Sequence, residues 1–203
     1  LLLIISAIIS LIQNTERKMK IRTYKDSDKK AVQDVCLYCD GYEKYAEDTI
    51  NFLLSTYCDY YTEKEPCNCF VAADEKDRAI GYILCAENFD SFIETFRNEY
   101  LTKIPEEQKT NRYYAETSVV MHKKYKDDYP AHLHIDILPI CQGKGAGSKL
   151  VSALCAHLKE IDSPGLMLSC GMGNKGAIRF YSRNGFIKKV NLFGNCLMCK
   201  KIK

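Results

Sequence analysis

Gln142-Gly143-Lys144-Gly145-Ala146-Gly147 stands two residues after the run His132-Leu133-His134-Ile135-Asp136-Ile137-Leu138-Pro139. The run alternates polar and apolar side chains, as a strand does. Beyond the glycines, Leu150, Val151, Leu154, Cys155 and Leu158 recur with the period of a helix that stops at Ser163-Pro164-Gly165. A strand therefore enters a glycine turn and a helix leaves it. Glycine lets the backbone bend tightly and expose its N–H groups, and a helix N-terminus adds about half a positive charge. Together they make a seat for a phosphate or pyrophosphate held by main chain. The order Gly147-Ser148-Lys149 is wrong for a P-loop, and Ser148 stands where the dinucleotide fingerprint needs its last glycine.

Composition describes an ordinary folded domain. The chain has 203 residues, of which 46% are hydrophobic, enough to bury a core. With 29 basic and 26 acidic side chains, and no basic run interleaved with aromatics, nucleic acid is not an expected partner. The eleven cysteines include Cys36-x-x-Cys39, Cys67-x-Cys69 and Cys196-x-x-Cys199, which invite a zinc reading. The first pair falls on a helical stripe with Val32 and Val35, however. The last falls on a strand, where residues three apart face opposite ways. No metal is expected, and an odd number of thiols suits a reducing compartment.

Residues 1–18 are strongly apolar but shorter than the roughly 20 residues of a membrane span, and they lack a basic start. They are read as a leader or extension outside a fold that begins at Met19, in a cytoplasmic protein. The alternative is a membrane-associated form tethered through them. Met19 to Tyr24 reads as a first strand. Asp26-Ser27-Asp28 offers a cap for a helix to about Cys39, and a second helix is expected from about Glu43 to Tyr57, with Tyr45 on its apolar side. Cys69–Ala73 and Ala79–Leu84 read as strands about a charged turn, and Leu166–Ser169 as another. Val190–Phe193 and Cys196–Cys199 read as a hairpin around Gly194-Asn195. The polar segment from about Asn88 to Asp127 is helical in part. No repeat or linker divides residues 19–203.

Asn174-Lys175-Gly176-Ala177-Ile178-Arg179-Phe180-Tyr181-Ser182-Arg183-Asn184-Gly185-Phe186 reads as a helix with a polar start, an apolar stripe and an Asn-Gly stop. Paired with the glycine turn upstream, it resembles the GNAT superfamily of acyl-CoA-dependent N-acetyltransferases. Gly81-Tyr82-Ile83-Leu84-Cys85-Ala86, the helical insert Phe89 to Ile104, and Tyr129-Pro130-Ala131-His132-Leu133-His134-Ile135-Asp136-Ile137 resemble more narrowly the acetyltransferase-like domain of O-GlcNAc hydrolases and its stand-alone bacterial relatives. The resemblance implies an α/β fold of GNAT type. Such a fold has a mixed, mostly antiparallel twisted sheet flanked by helices, with a cofactor cleft between two central parallel strands.

It also implies direct attack of an amine on the thioester of acetyl-CoA, with no metal. The acceptor is a primary amine of a small molecule or peptide, and a homodimer is compatible with the family. Tyr181 stands where family members place the proton donor to the leaving thiolate. Main chain of Ile137, Leu138 and Pro139 is expected along the pantetheine arm. Gln142, Gly143, Lys144, Gly145, Ala146 and Gly147 are expected around the pyrophosphate, Lys144 supplying a cation, and Asn174 makes an amide contact. An amine of pKa about 10.4 must lose a proton, so a base is needed. His132, His134 and Asp136 share one strand face, which is costly unless it lines a wet groove. The His-Leu-His pair also resembles the matching strand of arylalkylamine N-acetyltransferases. His134 and Asp136 are the candidates for proton transfer or for holding the substrate ammonium, and Cys141 is the one cysteine worth testing for an acyl intermediate. An active enzyme, a non-catalytic acetyl-CoA-binding module and an empty pseudo-acetyltransferase all remain open at this point.

Overall fold

A computed structural model describes residues 19–40, 47–192 and 194–202. The expectations for residues 1–18, for the first turn of the helix expected from Glu43, and for Phe193 lie outside them. Seven strands form one sheet in the order β1-β2-β3-β4-β5-β7-β6. They are β1 (Lys20–Thr23), β2 (Phe70–Ala73), β3 (Ala79–Ala86), β4 (Ala131–Ile137), β5 (Gly165–Gly171), β6 (Ile187–Leu192) and β7 (Asn195–Lys201). All neighbouring strands run antiparallel except β4 and β5, which are parallel.

Two apolar cores lie on the two faces of this sheet. On one face pack the helices α1 (Lys29–Asp40), α2 (Glu47–Tyr57), α3 (Asp59–Lys64), α4 (Phe89–Thr95) and α5 (Lys109–Thr117). On the other, α6 (Ala146–Glu160) lays Leu150, Val151, Leu154 and Leu158 against β1 to β4, and α7 (Lys175–Arg183) adds Tyr181. Strand period two assigns each side chain of β7 to one core or the other. Cys196 accordingly joins the α6 core and Cys199 the α1 core. All eleven cysteines are free thiols, and among the described residues no three His, Cys, Asp or Glu converge as metal ligands. No described helix is long and apolar enough to cross a membrane.

The segment from Asn88 is more regular than its composition suggests. The Asn88 side chain accepts from the N–H groups of Asp90 and Ser91 and so caps α4. A π turn follows over Phe96–Tyr100. Phe89, Phe92, Phe96 and Tyr100 recur three or four residues apart and are all buried. They bring this insert down onto the face of β3 and β4 that carries His132.

Candidate active site

β4 and β5 pair only at their starts, Ala131 with Leu166 and His132 with Met167. Beyond that point they diverge, and a cavity of about 1220 Å³ opens between them. The turn after β4 closes one end. Gly143 and Gly145 have φ of +76° and +80°, the left-handed region that favours glycine, and nothing lies within 4 Å of where a Cβ would stand on either. The turn therefore faces open space. Gly145 precedes α6, whose first N–H groups, those of Ala146, Gly147 and Ser148, have no carbonyl within the helix to reach. Gly147 has a different task. A Cβ there would stand 2.8 Å from the Phe180 ring, so its absence lets α7 approach α6 closely.

The side chains at this end depart in part from the sequence expectation. Gln142 turns back, its amide donating to the Ile137 carbonyl at 2.9 Å, and so shapes the turn from inside. The Leu138 N–H is committed to the Ile80 carbonyl, and the carbonyls of Leu138 and Pro139 accept from Cys141 and Gln142. Of the three residues expected along the arm, Ile137 is the one that lines the cavity. Lys144 is not among the lining residues. The cations there are Arg179 and Arg183, which follow Gly176 along one face of α7 and which sequence reasoning did not single out. Asn174 lines the cavity and also caps α7, its side-chain oxygen accepting the Ala177 N–H at 2.9 Å.

The centre of the cavity holds a hydrogen-bonded relay. Strand register sets Tyr82 of β3 opposite Asp136 of β4. The Tyr82 hydroxyl lies 2.7 Å from Asp136 Oδ2 and 3.1 Å from His134 Nδ1. A carboxylate only accepts, so the phenol proton goes to Asp136 and its oxygen accepts from His134 Nδ1–H. This network assigns a proton to Nδ1, and in the neutral imidazole Nε2 is then the acceptor nitrogen. Tyr57 stacks on the imidazole at 5.1 Å, and Tyr82 lies near-parallel to it at 5.9 Å. Burial pushes the Tyr82 phenol well up, so it keeps its proton for this bond.

Tyr181 also lines the cavity, braced by Phe180 and Phe186. Burial raises its phenol pKa, and Cys170, Asp136 and Cys196 add to the rise. Cys141 is buried and its thiol is raised by desolvation, which does not suit a nucleophile that must ionise. The three polar residues of β4 do not share one wet groove. His134 and Asp136 are part-exposed, whereas His132 is buried against Phe92 at 4.3 Å.

The profile of the acetyltransferase (GNAT) family matches residues 37–186. The chain belongs to this family. Among solved structures, SsHAT is 25% identical, with 92% of this chain and 99% of that one covered and a TM-score of 0.81. PH1933 from Pyrococcus horikoshii OT3 is 23% identical over 91% and 98% of the two chains, with a TM-score of 0.61. The NatC complex bound to Gag peptide and CoA is 13% identical over 92% and 99%, at a TM-score of 0.56, a likeness of fold. The mixed sheet with its open β4–β5 cleft is the GNAT fold, and acetyl transfer from acetyl-CoA is the family norm. A GNAT co-substrate fits this cleft. Glycine amides face open space at one end, Arg179 and Arg183 line the wall, and the cavity exceeds the roughly 300–1,000 Å³ of a drug-sized pocket.

Proposed function

We propose that the chain is an acetyl-CoA-dependent N-acetyltransferase that moves an acetyl group directly onto a primary amine of a small molecule or peptide. Residues 19–203 form its acetyltransferase domain. Within the family, the stretches Gly81–Ala86 and Tyr129–Ile137 relate it to the acetyltransferase-like domains of O-GlcNAc hydrolases. The observation that carries the reading is the Asp136–Tyr82–His134 relay, which orients the His134 ring, with Nδ1 on the Tyr82 oxygen, in the same cleft as the glycine turn and Tyr181.

Acetyl-CoA, when bound, supplies an activated thioester. The amides of the glycine turn from Gly143 to Gly147 and the guanidinium groups of Arg179 and Arg183 hold its phosphates, with Gln142 and Lys144 at the rim. Ile137 lies along the pantetheine arm, flanked by Leu138 and Pro139, and Asn174 offers its amide. His134 Nε2 takes the proton that the amine loses as its nitrogen forms the new bond to the acyl carbon. Asp136 and Tyr82 hold the resulting imidazolium in place. The carbon–sulfur bond breaks with its electron pair on sulfur, facing Tyr181. A phenol has an ordinary pKa of about 10, already above the 8.5 of a thiol, and Tyr181 is raised further. Full proton transfer from it is uphill, so Tyr181 serves as a hydrogen-bond donor to the developing thiolate.

Calorimetric titration of the full chain with acetyl-CoA and CoA, followed by thiol release with a panel of amines, tests the proposal. Micromolar binding and amine-dependent thiol release are expected. Tyr181→Phe is expected to lower turnover by about 10²-fold with affinity for CoA unchanged. Binding without thiol release for any amine would leave the non-catalytic binding module. No binding by the folded chain would remove both readings.

A further inference from the structure

A single hydrogen bond does not fix a ring, and His134 is open to the cleft, with 29% of its side chain accessible. Its bond to the Tyr82 hydroxyl leaves the imidazole able to swing. Asp136 Oδ2 stands 3.7 Å from Nδ1, beyond hydrogen-bond distance. A swing of about 1 Å would bring the two into contact, and a charge-assisted bond favours that as soon as the ring gains a proton. Any such tilt re-aims Nε2, and a misplacement of about 1 Å is enough to cost about 10²-fold in rate. Tyr57 opposes the swing. Its ring lies over the imidazole with centroids 5.1 Å apart and planes 22° apart, and both side chains line the cleft.

Tyr57 is itself held from a distance. It is the last residue of α2, and the helix breaks at Cys58, whose φ of −132° and ψ of −59° are not helical. Cys58 is fully buried, and α3 follows at once with Tyr60 and Tyr61 buried as well. The insert grips those two rings. Tyr60 meets Phe92 at 4.7 Å and Tyr100 at 5.7 Å, and Tyr61 stacks on Phe92 at 5.8 Å. The Tyr60 hydroxyl donates to Glu65 at 2.7 Å, and the Tyr100 hydroxyl to Glu63 at 2.8 Å. α3 cannot shift without breaking this cluster, so the end of α2 is fixed with it. None of Phe89, Phe92, Phe96 and Tyr100 lines the cleft. Their stripe reaches the site through α3 and Tyr57.

Resting on the N-acetyltransferase reading above, we propose that Tyr57 is a positioning residue for the base: its ring, clamped through α3 by the aromatic insert, holds the His134 imidazole off Asp136 and keeps Nε2 aimed into the cleft. Tyr57 acts through His134 rather than on the reacting atoms. The ring carries the role and the hydroxyl does not, because the contact is made by the aromatic face. That face also favours the imidazolium that forms as the amine loses its proton.

Tyr57→Leu and Tyr57→Phe in the full chain test this with two measurements. One is thiol release from acetyl-CoA with the amine panel. The other is the proton NMR signal of the His134 ring, assigned by its loss in His134→Gln. A stacked aromatic ring moves its neighbour's protons upfield, so this signal reports the stack whether or not the chain turns over. In Tyr57→Leu the upfield shift is expected to diminish and kcat to fall by about 10- to 100-fold, with KM for acetyl-CoA within about twofold of wild type. Tyr57→Phe is expected to keep the shift and to recover kcat to within about threefold of wild type. Wild-type kcat in Tyr57→Leu, or a Tyr57→Phe chain as slow as Tyr57→Leu, would overturn the positioning role and leave the acetyltransferase reading standing. An upfield shift that survives in Tyr57→Leu would overturn it too. A wild-type chain that transfers to no amine would remove the parent reading and the positioning role together. If leucine does not fold at this half-buried position, Tyr57→Gln takes its place.

Discussion

The two ends of the cleft are built from different material. At the glycine end the cleft wall is main chain: two left-handed glycines and the open N–H groups of α6, with Gln142 turned inward to support them. At the histidine end the surface is side chain: Tyr57, Tyr82, His134 and Asp136 held by one another, and behind them His132, buried among aromatic rings. A main-chain seat grips whatever carries phosphate and tolerates change in most side chains. A side-chain site fixes chemistry, and single substitutions reach it. Turnover and cofactor affinity should therefore respond to different residues.

The sharpest test of that separation is His134→Gln. His134 is the proposed general base, whose removal should cost about 10²–10⁴ in kcat, and the glycine end is untouched, so affinity for acetyl-CoA should stay within about twofold of wild type. Equal losses in both would mean that the two ends are one unit. The converse is Gly145→Val. A β-branched residue at φ +80° is strained by about 1–2 kcal/mol or more, and relief of that strain would turn the N–H groups away from the cleft. Acetyl-CoA affinity is expected to weaken at least about tenfold, whereas Arg179→Ala or Gln142→Ala should each cost less.

The difference between the ends is also the difference between what was legible and what was not. The glycine spacing is a requirement of backbone geometry, so it stands in the sequence unaided by tertiary structure. The position of Tyr181 was likewise readable, because the α7 motif carries it at a fixed distance from Asn174. Tyr82 was not singled out. Alternation along β3 gives it a face, but its meeting with Asp136, 54 residues on, depends on the antiparallel register of β3 with β4. His132 was correctly given the face of His134 by period two, and its burial was not foreseen. The residues that cover it, Phe89 and Phe92, belong to a segment whose charged residues hide its aromatic stripe. Arg179 and Arg183 escaped notice because the phase of a helix about its axis is set by packing, here by the contact of Phe180 with Gly147.

Acid should distinguish the ends as well. His122 is buried with its pKa pulled down to about 4, against about 6.5 in an unfolded chain. Between those values the unfolded state binds the proton and the folded state does not, so stability rises with pH through this window and falls on acidification from about 6.5 toward 4. One such group contributes a slope of up to about 1.4 kcal/mol per pH unit, and His132, lowered for the same reason of burial, adds to it. Chemical denaturation at pH 7 and pH 5 should show the loss, and His122→Phe should reduce it. An unchanged slope in that variant would mean that His122 is not a group that binds its proton only on unfolding.

The smallest effect is the most discriminating, because Asn174 is a side chain placed at the main-chain end. Its oxygen caps α7 through the Ala177 N–H, and its amide donor is the group proposed for the pantetheine. Asn174→Ala loses both. It should cost about 1 kcal/mol of stability, or about 2–4 °C in Tm for a chain of this size, together with about 2- to 10-fold in acetyl-CoA affinity. Asn174→Asp separates the two roles. A carboxylate accepts the Ala177 N–H as well as the amide oxygen does, and it favours a helix N-terminus, so Tm should return to near wild type. It cannot donate, so affinity should stay low. If aspartate restored affinity along with Tm, Asn174 would be a cap and nothing more, and the glycine end would bind its ligand through main chain and arginine alone.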